Sequence, residues 1–113
     1  MSRIYKLLDG ASWRAAQAAG VFTGSAVDAR DGFIHFSDAS QARETAGLYF
    51  HGQDDLWLLA VETDRLDAEL RWEASRRGAL FPHLYGSLPV AAVIEARPAP
   101  LDADGVPELG PLD

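Results

Sequence analysis

Cysteine is absent from all 113 residues, which removes disulfides, thiolate nucleophiles and cysteine-held zinc from any account of this chain. No apolar run approaches the roughly 18 residues needed to span a bilayer, and Met1 to Lys6 lack the apolar stretch of a signal peptide. The expected compartment is therefore the cytoplasm, with no membrane contact. There is no Gly-rich phosphate loop, no G-x-S-x-G and no H-E-x-x-H, so the enzyme classes those motifs announce are not in question. Cations are also few. Ten basic residues face 17 acidic ones, a net charge of −7 that repels a phosphate backbone and argues against nucleic acid as a partner. A small-molecule ligand remains open, because Arg71, Arg76 and Arg77 are close in sequence, although such a group also suits a solvated strand end.

What is present fits one α+β domain. Apolar residues make up 48% and charged residues 24%, ordinary values for a globular chain of this length. Residues 3 to 8 read as an opening strand, followed by a helix that Asp9 or Ser12 caps and Gly20 stops. Residues 21 to 31 lack periodicity and read as a surface loop ending at Asp31-Gly32. Gly32 to Ser37 is a short strand with Phe33, His35 and Ser37 on one face and Ile34 and Phe36 on the other. A second helix follows, capped by Asp38 or Ser40, with Ala42, Ala46 and Tyr49 on its apolar side. Leu56 to Val61 is nearly all apolar and should lie at the centre of a sheet. Leu70, Trp72 and Ala74 alternate with polar residues in a half-exposed strand. Pro82 excludes Ala79 to Gly86 from a mid-sheet position, so that segment should fold over an edge of the core. Val90 to Ala96 closes the domain. The expected architecture is thus a small bent or split, mainly antiparallel sheet with two main helices over residues 1 to 97. Residues 98 to 113 hold four of the six prolines, four acids and no base, and read as an extended tail outside the core.

Polar chemistry concentrates in two segments, Asp31 to Ser37 and Glu73 to Tyr85. His35 lies in an apolar strand, where its ring nitrogens need partners. It is either a core histidine satisfied by a backbone carbonyl or, with Asp31 and Asp38 close in sequence and Ser37 on the same face, a carboxylate-paired histidine that acts as a general base or as a donor to a ligand's ribose or phosphate. His83 and Tyr85 are bracketed by apolar residues and Pro82, which suits either a rigid pocket wall or aromatic closure of the core. Glu73 is a solvent carboxylate or a pocket carboxylate beside Arg71. His35, His83 and Glu73 have the ligand types of a two-histidine, one-carboxylate metal site, but no spacing rule joins them and no metal is expected. His51, at a helix end, reads as a solvated residue interacting with the helix dipole.

The segments IYKLL, DGFIHFSDASQ, DLWLLAV, RWE and LFPHLYG, in this order, resemble the family known as domain of unknown function 952 over about residues 3 to 97. In that family DGFIHFS and FPHLYG are the signature, which points to His35 and His83. GFIHFSDASQARETAGLYF is also similar to the strand-then-helix segment of ADP-ribosyltransferase-like domains, and IHFS followed by LWLLAVETDRL to the histidine segment of RNA 2′-phosphotransferases. This second resemblance implies a cleft between two small sheets, with NAD or an ADP-ribose derivative as ligand. His35, Glu73 and His83 would then be catalytic, and Asp31, Ser37, Arg71 and Tyr85 would bind the ligand. Two departures stand out: Trp13-Arg14 replaces the phosphotransferases' Arg-His pair, and Tyr5-Lys6-Leu7 stands where many transferases have a histidine.

Overall fold

The computed structural model describes residues 2 to 112 as an α+β domain of three helices and three small antiparallel sheets. Strand β1 (Arg3–Asp9) runs antiparallel to β4 (Leu56–Glu62), and β8 (Val93–Pro98) lies on the other side of β4. The apolar run 56 to 61 is central because it is covered twice. Leu59 and Val61 enter one core with Ile4, Leu8, Ile34 and Leu84, while Leu56, Leu58 and Ala60 enter a second with Tyr5, Leu7, Ala42 and Ala46.

Helix α1 (Gly10–Ala19) starts where the Asp9 carboxylate accepts the Ser12 amide at 3.0 Å. It stops at Gly20, whose φ of 81° is left-handed and costs a glycine little. Next come the two-residue β2 (Val21–Phe22), helix α2 (Ala26–Asp31), β3 (Ile34–His35) and helix α3 (Ala42–Tyr49). A further sheet has the order β3-β6-β5, with β5 at Glu69–Ala74 and β6 at Leu80–Tyr85, and β7 (Leu88–Pro89) pairs with β2. One bridge, Tyr5 with Ser37, ties the β1 sheet to the β3 sheet.

Four expectations change. Residues 21 to 31 are not simply loop: α2 is a third helix, fixed by a capping box in which Ser25 and Asp28 each accept the other's backbone amide. The segment around Pro82 is a central strand. Its missing N–H is tolerated because the Pro82 carbonyl accepts the Phe36 amide, so the proline nitrogen faces the same side, beyond the end of the two-residue β3. Tyr49 lies outside the apolar face of α3, at 63% exposure. The last strand begins three residues late, after a 3-10 turn at Val90–Ala92.

The segment after Pro98 is packed against the body of the chain, contrary to its composition. Leu109, 2% exposed, and Ala99 complete the second core beneath α3. Arg97 donates to the Leu109 carbonyl at 2.9 Å, Arg43 donates to Gly110, and the His51 ring contacts the Asp104 carbonyl at 2.8 Å. His51 is thereby fastened to this segment rather than simply solvated.

Candidate functional site

The alternation of Gly32 to Ser37 puts Ile34 and Phe36 in the core and Phe33, His35 and Ser37 on the opposite face. In β6 the same rule buries Leu84 in the core and places Phe81, His83 and Tyr85 on the face of His35. The register pairs His35 directly with His83, and their ring centroids are 5.6 Å apart. Phe33 lies across the pair, 4.6 Å from the His35 ring and stacked on His83 at 4.0 Å.

Each imidazole is held at Nδ1 by a carboxylate. His35 donates to Asp28 Oδ1 at 2.7 Å, and His83 to Glu73 Oε1 at 2.8 Å. Asp28 is buried and also accepts from the Ser25 amide, the His35 amide and the Lys6 ammonium, at 3.1 and 3.2 Å in the last case. Burial alone would push the Asp28 carboxyl up. The His35 hydrogen bond and the Lys6 charge outweigh it and hold the group well below the usual carboxylate range. Burial pulls the Lys6 ammonium down, with Asp28 opposing.

Gly32, with φ of 88°, ends α2 and turns the chain into β3, so that Asp31 reaches back to His35 Nε2 at 2.9 Å. Asp31 also binds Arg30, which chiefly lowers its carboxyl pKa. Carboxylates only accept, so both His35 contacts are hydrogen bonds when both ring nitrogens carry hydrogen. Glu73 is lowered by donation from Tyr85 at 2.7 Å and from His83, and the Tyr85 phenol is raised by the same bond.

Asp31, His35, Ser37 and His83 line a cleft of about 630 Å³ between β1, α2 and α3, a volume suited to a small organic ligand. Lys6, Asp28, Thr45 and Arg76 line it too, and Arg76 stands out from the sequence as one of three neighbouring arginines. Arg71, Tyr85 and Glu73 do not line the cleft. β5 is the far edge of its sheet, one strand beyond His83. Glu73 and Tyr85 stand behind that ring, while Arg71, half-exposed, lies 4.5 Å over the Tyr85 ring and pairs with Glu69 at 3.0 Å. No group of three or more His, Asp or Glu side chains suited to a metal ion occurs among the described residues. Among these residues no helix is long and apolar enough to cross a membrane.

The depressed carboxyls set an acid limit. A carboxyl whose folded pKa lies below its unfolded value contributes stability that is full above the unfolded value and is lost as pH falls towards the folded one. The melting temperature should therefore drop as pH falls from about 5 to about 2.5, and Asp28→Asn should flatten that drop because Asp28 is the buried member. Equal pH slopes in wild type and variant would show that Asp28 does not carry it.

The family is also recognisable from the whole chain. The family model described as "Protein of unknown function (DUF952)" matches residues 7–96, and the chain belongs to that family. It is similar to protein CC0527 from Caulobacter crescentus, at 57% identity to the crystal structure with a TM-score of 0.92 and 96% of each chain covered. The solution NMR structure of CC0527 aligns with a TM-score of 0.86 over 97% of this chain and 95% of that one. Such coverage takes in most of the segment after Pro98. No curated protein matches.

Proposed function

We propose that the protein is a small enzyme acting on a nucleotide or ADP-ribosyl compound bound in the His35–His83 cleft. The observation that carries this reading is the pair of carboxylate-held imidazoles 5.6 Å apart on one cleft wall. A carboxylate at Nδ1 fixes the ring's tautomer and orientation and directs Nε2 to proton transfer. On His35 that position is taken by Asp31, which sits at a helix end and is shared with Arg30, so a substrate hydroxyl can displace it. His35 then serves as base when Nε2 carries no hydrogen, or as a donor to the ribose when it does, and His83 forms the wall. Glu73 acts through His83 as a positioning residue. A cleft between two small antiparallel sheets, with α3 following the His35 strand, supports the resemblance to ADP-ribosyltransferase-like domains and makes NAD and ADP-ribose the first ligands to try.

A second reading, a non-catalytic binding module, is favoured by Trp13-Arg14 and Tyr5-Lys6-Leu7, which depart from the transferase pattern. Calorimetric titration with NAD, ADP-ribose and adenine nucleotides, and chromatography of the same mixtures, separate the two. His35→Ala should weaken binding about 2- to 150-fold, the range for losing a neutral to a charged hydrogen bond, and abolish turnover if there is any. Binding without turnover selects the module. No binding at millimolar concentration, or an affinity unmoved by His35→Ala, ends the nucleotide reading.

A further inference from the structure

The cleft has two electrically different ends. Around His35 stand Asp28 and Asp31, with Glu73 behind His83, and the Lys6 ammonium is committed to both oxygens of Asp28. An additional anion is disfavoured there. Towards α3 the lining is Arg76, Thr45 and Ser37. Arg76 Nη2 donates to Thr45 Oγ1 at 2.9 Å, and Thr45 in turn donates to the Gln41 carbonyl at 3.1 Å and contacts the Ser37 hydroxyl at 2.9 Å. Arg76 Nη1 is buried and has no hydrogen-bond partner. The nearest acid, Glu44, is 3.7 Å from Nη2, outside hydrogen-bond range, and half-exposed. A buried guanidinium donor without an acceptor is costly.

The side chain is held in place in spite of that cost. Its guanidinium carbon lies over the ring of Phe81, at 4.7 Å, and over that of Tyr49, at 5.3 Å. The turn that carries it is closed by the bonds Ser75 N–H to Ala79 O, Gly78 N–H to Ser75 O and Ala79 N–H to Arg76 O. Arg77 accepts a left-handed φ of 55° to make that turn. Of the two rings Phe81 is buried, whereas Tyr49 is 63% exposed.

We infer that Arg76 is an anion anchor: it takes a phosphate group of the ligand at Nη1, with the Thr45 and Ser37 hydroxyls beside it, and so orients the ligand with its phosphate towards α3 and its sugar towards His35. The orientation rests on the nucleotide reading above, but the anchor can be tested without it. Inorganic phosphate is the first probe, by thermal shift at constant ionic strength on wild type, Arg76→Met, Arg76→Lys and His35→Ala. Phosphate should raise the melting temperature of wild type and His35→Ala. It should do so weakly in Arg76→Lys, which keeps the charge without the fork, and not in Arg76→Met. An equal response of wild type and Arg76→Met, or no response of wild type, overturns the anchor.

The second arm titrates adenosine and AMP. Wild type should bind AMP about 10- to 100-fold more tightly than adenosine, as for one charged hydrogen-bonding group, and Arg76→Met should erase that ratio while leaving adenosine affinity unchanged. A retained ratio overturns the orientation. Loss of all nucleoside and nucleotide binding in wild type, with the phosphate response intact, removes the nucleotide reading and leaves the anchor standing. If Arg76→Met does not fold, Arg76→Lys carries both comparisons, with the same signs.

Discussion

Replacing Asp28 with alanine should lower the melting temperature by roughly 12 to 25 °C. The size follows from what would be stranded. Breaking a buried ion pair from one side costs about 3 to 5 kcal/mol, and 1 kcal/mol moves a domain of this size by about 4 to 5 °C. Both side chains of the Asp28–Lys6 pair are almost wholly removed from solvent, so little screening reduces the figure. The same change also removes the acceptor for the Ser25 and His35 amides, and with it half of the α2 capping box. Calorimetry on Asp28→Ala, Lys6→Met and the double variant checks the argument. The double variant should be more stable than the sum of the single losses predicts, because the ammonium that one change strands is taken away by the other. A melting point within about 3 °C of wild type for Asp28→Ala would sink it.

The second large effect is expected from the far end of the chain. Leu109→Ala should cost about 2 to 5 kcal/mol, the range for removing a buried leucine whose site cannot close up, and so lower the melting temperature by about 8 to 25 °C. Leu109 belongs to one buried cluster with Tyr5, Leu7, Ala46 and Leu58, residues of β1, α3 and β4. Deleting residues 102 to 113 should also destabilise by more than 5 °C, since it strips the acceptors from Arg43 and Arg97 as well. A truncated protein that melts with wild type would mean that this segment does not pack in solution.

These two residues also mark where the sequence was hard to read. Asp28 lies in a six-residue helix with no apolar periodicity, and its distant partners Lys6 and His35 carry no local signal of it. The one visible signal was Ser25-x-x-Asp28, a short variant of the capping pattern. Lys6 was legible in principle, because Ile4, Lys6 and Leu8 share a strand face and both neighbours are core residues. A lysine in that position calls for a carboxylate partner. Leu109 was hidden by its surroundings: proline, glycine and acids suggest a chain that cannot bury surface, yet one leucine and one alanine at the right places are enough to seal an existing core. The alternation of Gly32 to Ser37 was readable from a strand's two-residue repeat, and the central place of Leu56 to Val61 from an apolar run that needs cover on both faces. Glu73 shares the site's sheet face, but only the strand order puts its strand β5 beyond His83 and away from the cleft.

Because His35 and Ile34 are consecutive residues of one short strand, the binding surface and the interior obey a single count. A one-residue slip of this strand against its partner would send the imidazole into the core and the isoleucine out to the cleft, and the partner strand imposes the same rule on His83 and Leu84. Length changes are therefore forbidden in the two strands for two unrelated reasons at once, solubility of the interior and placement of the rings. The connections around them face neither constraint in the same measure. Divergence in this architecture has room to reshape what surrounds the imidazole pair, but not to move the pair itself.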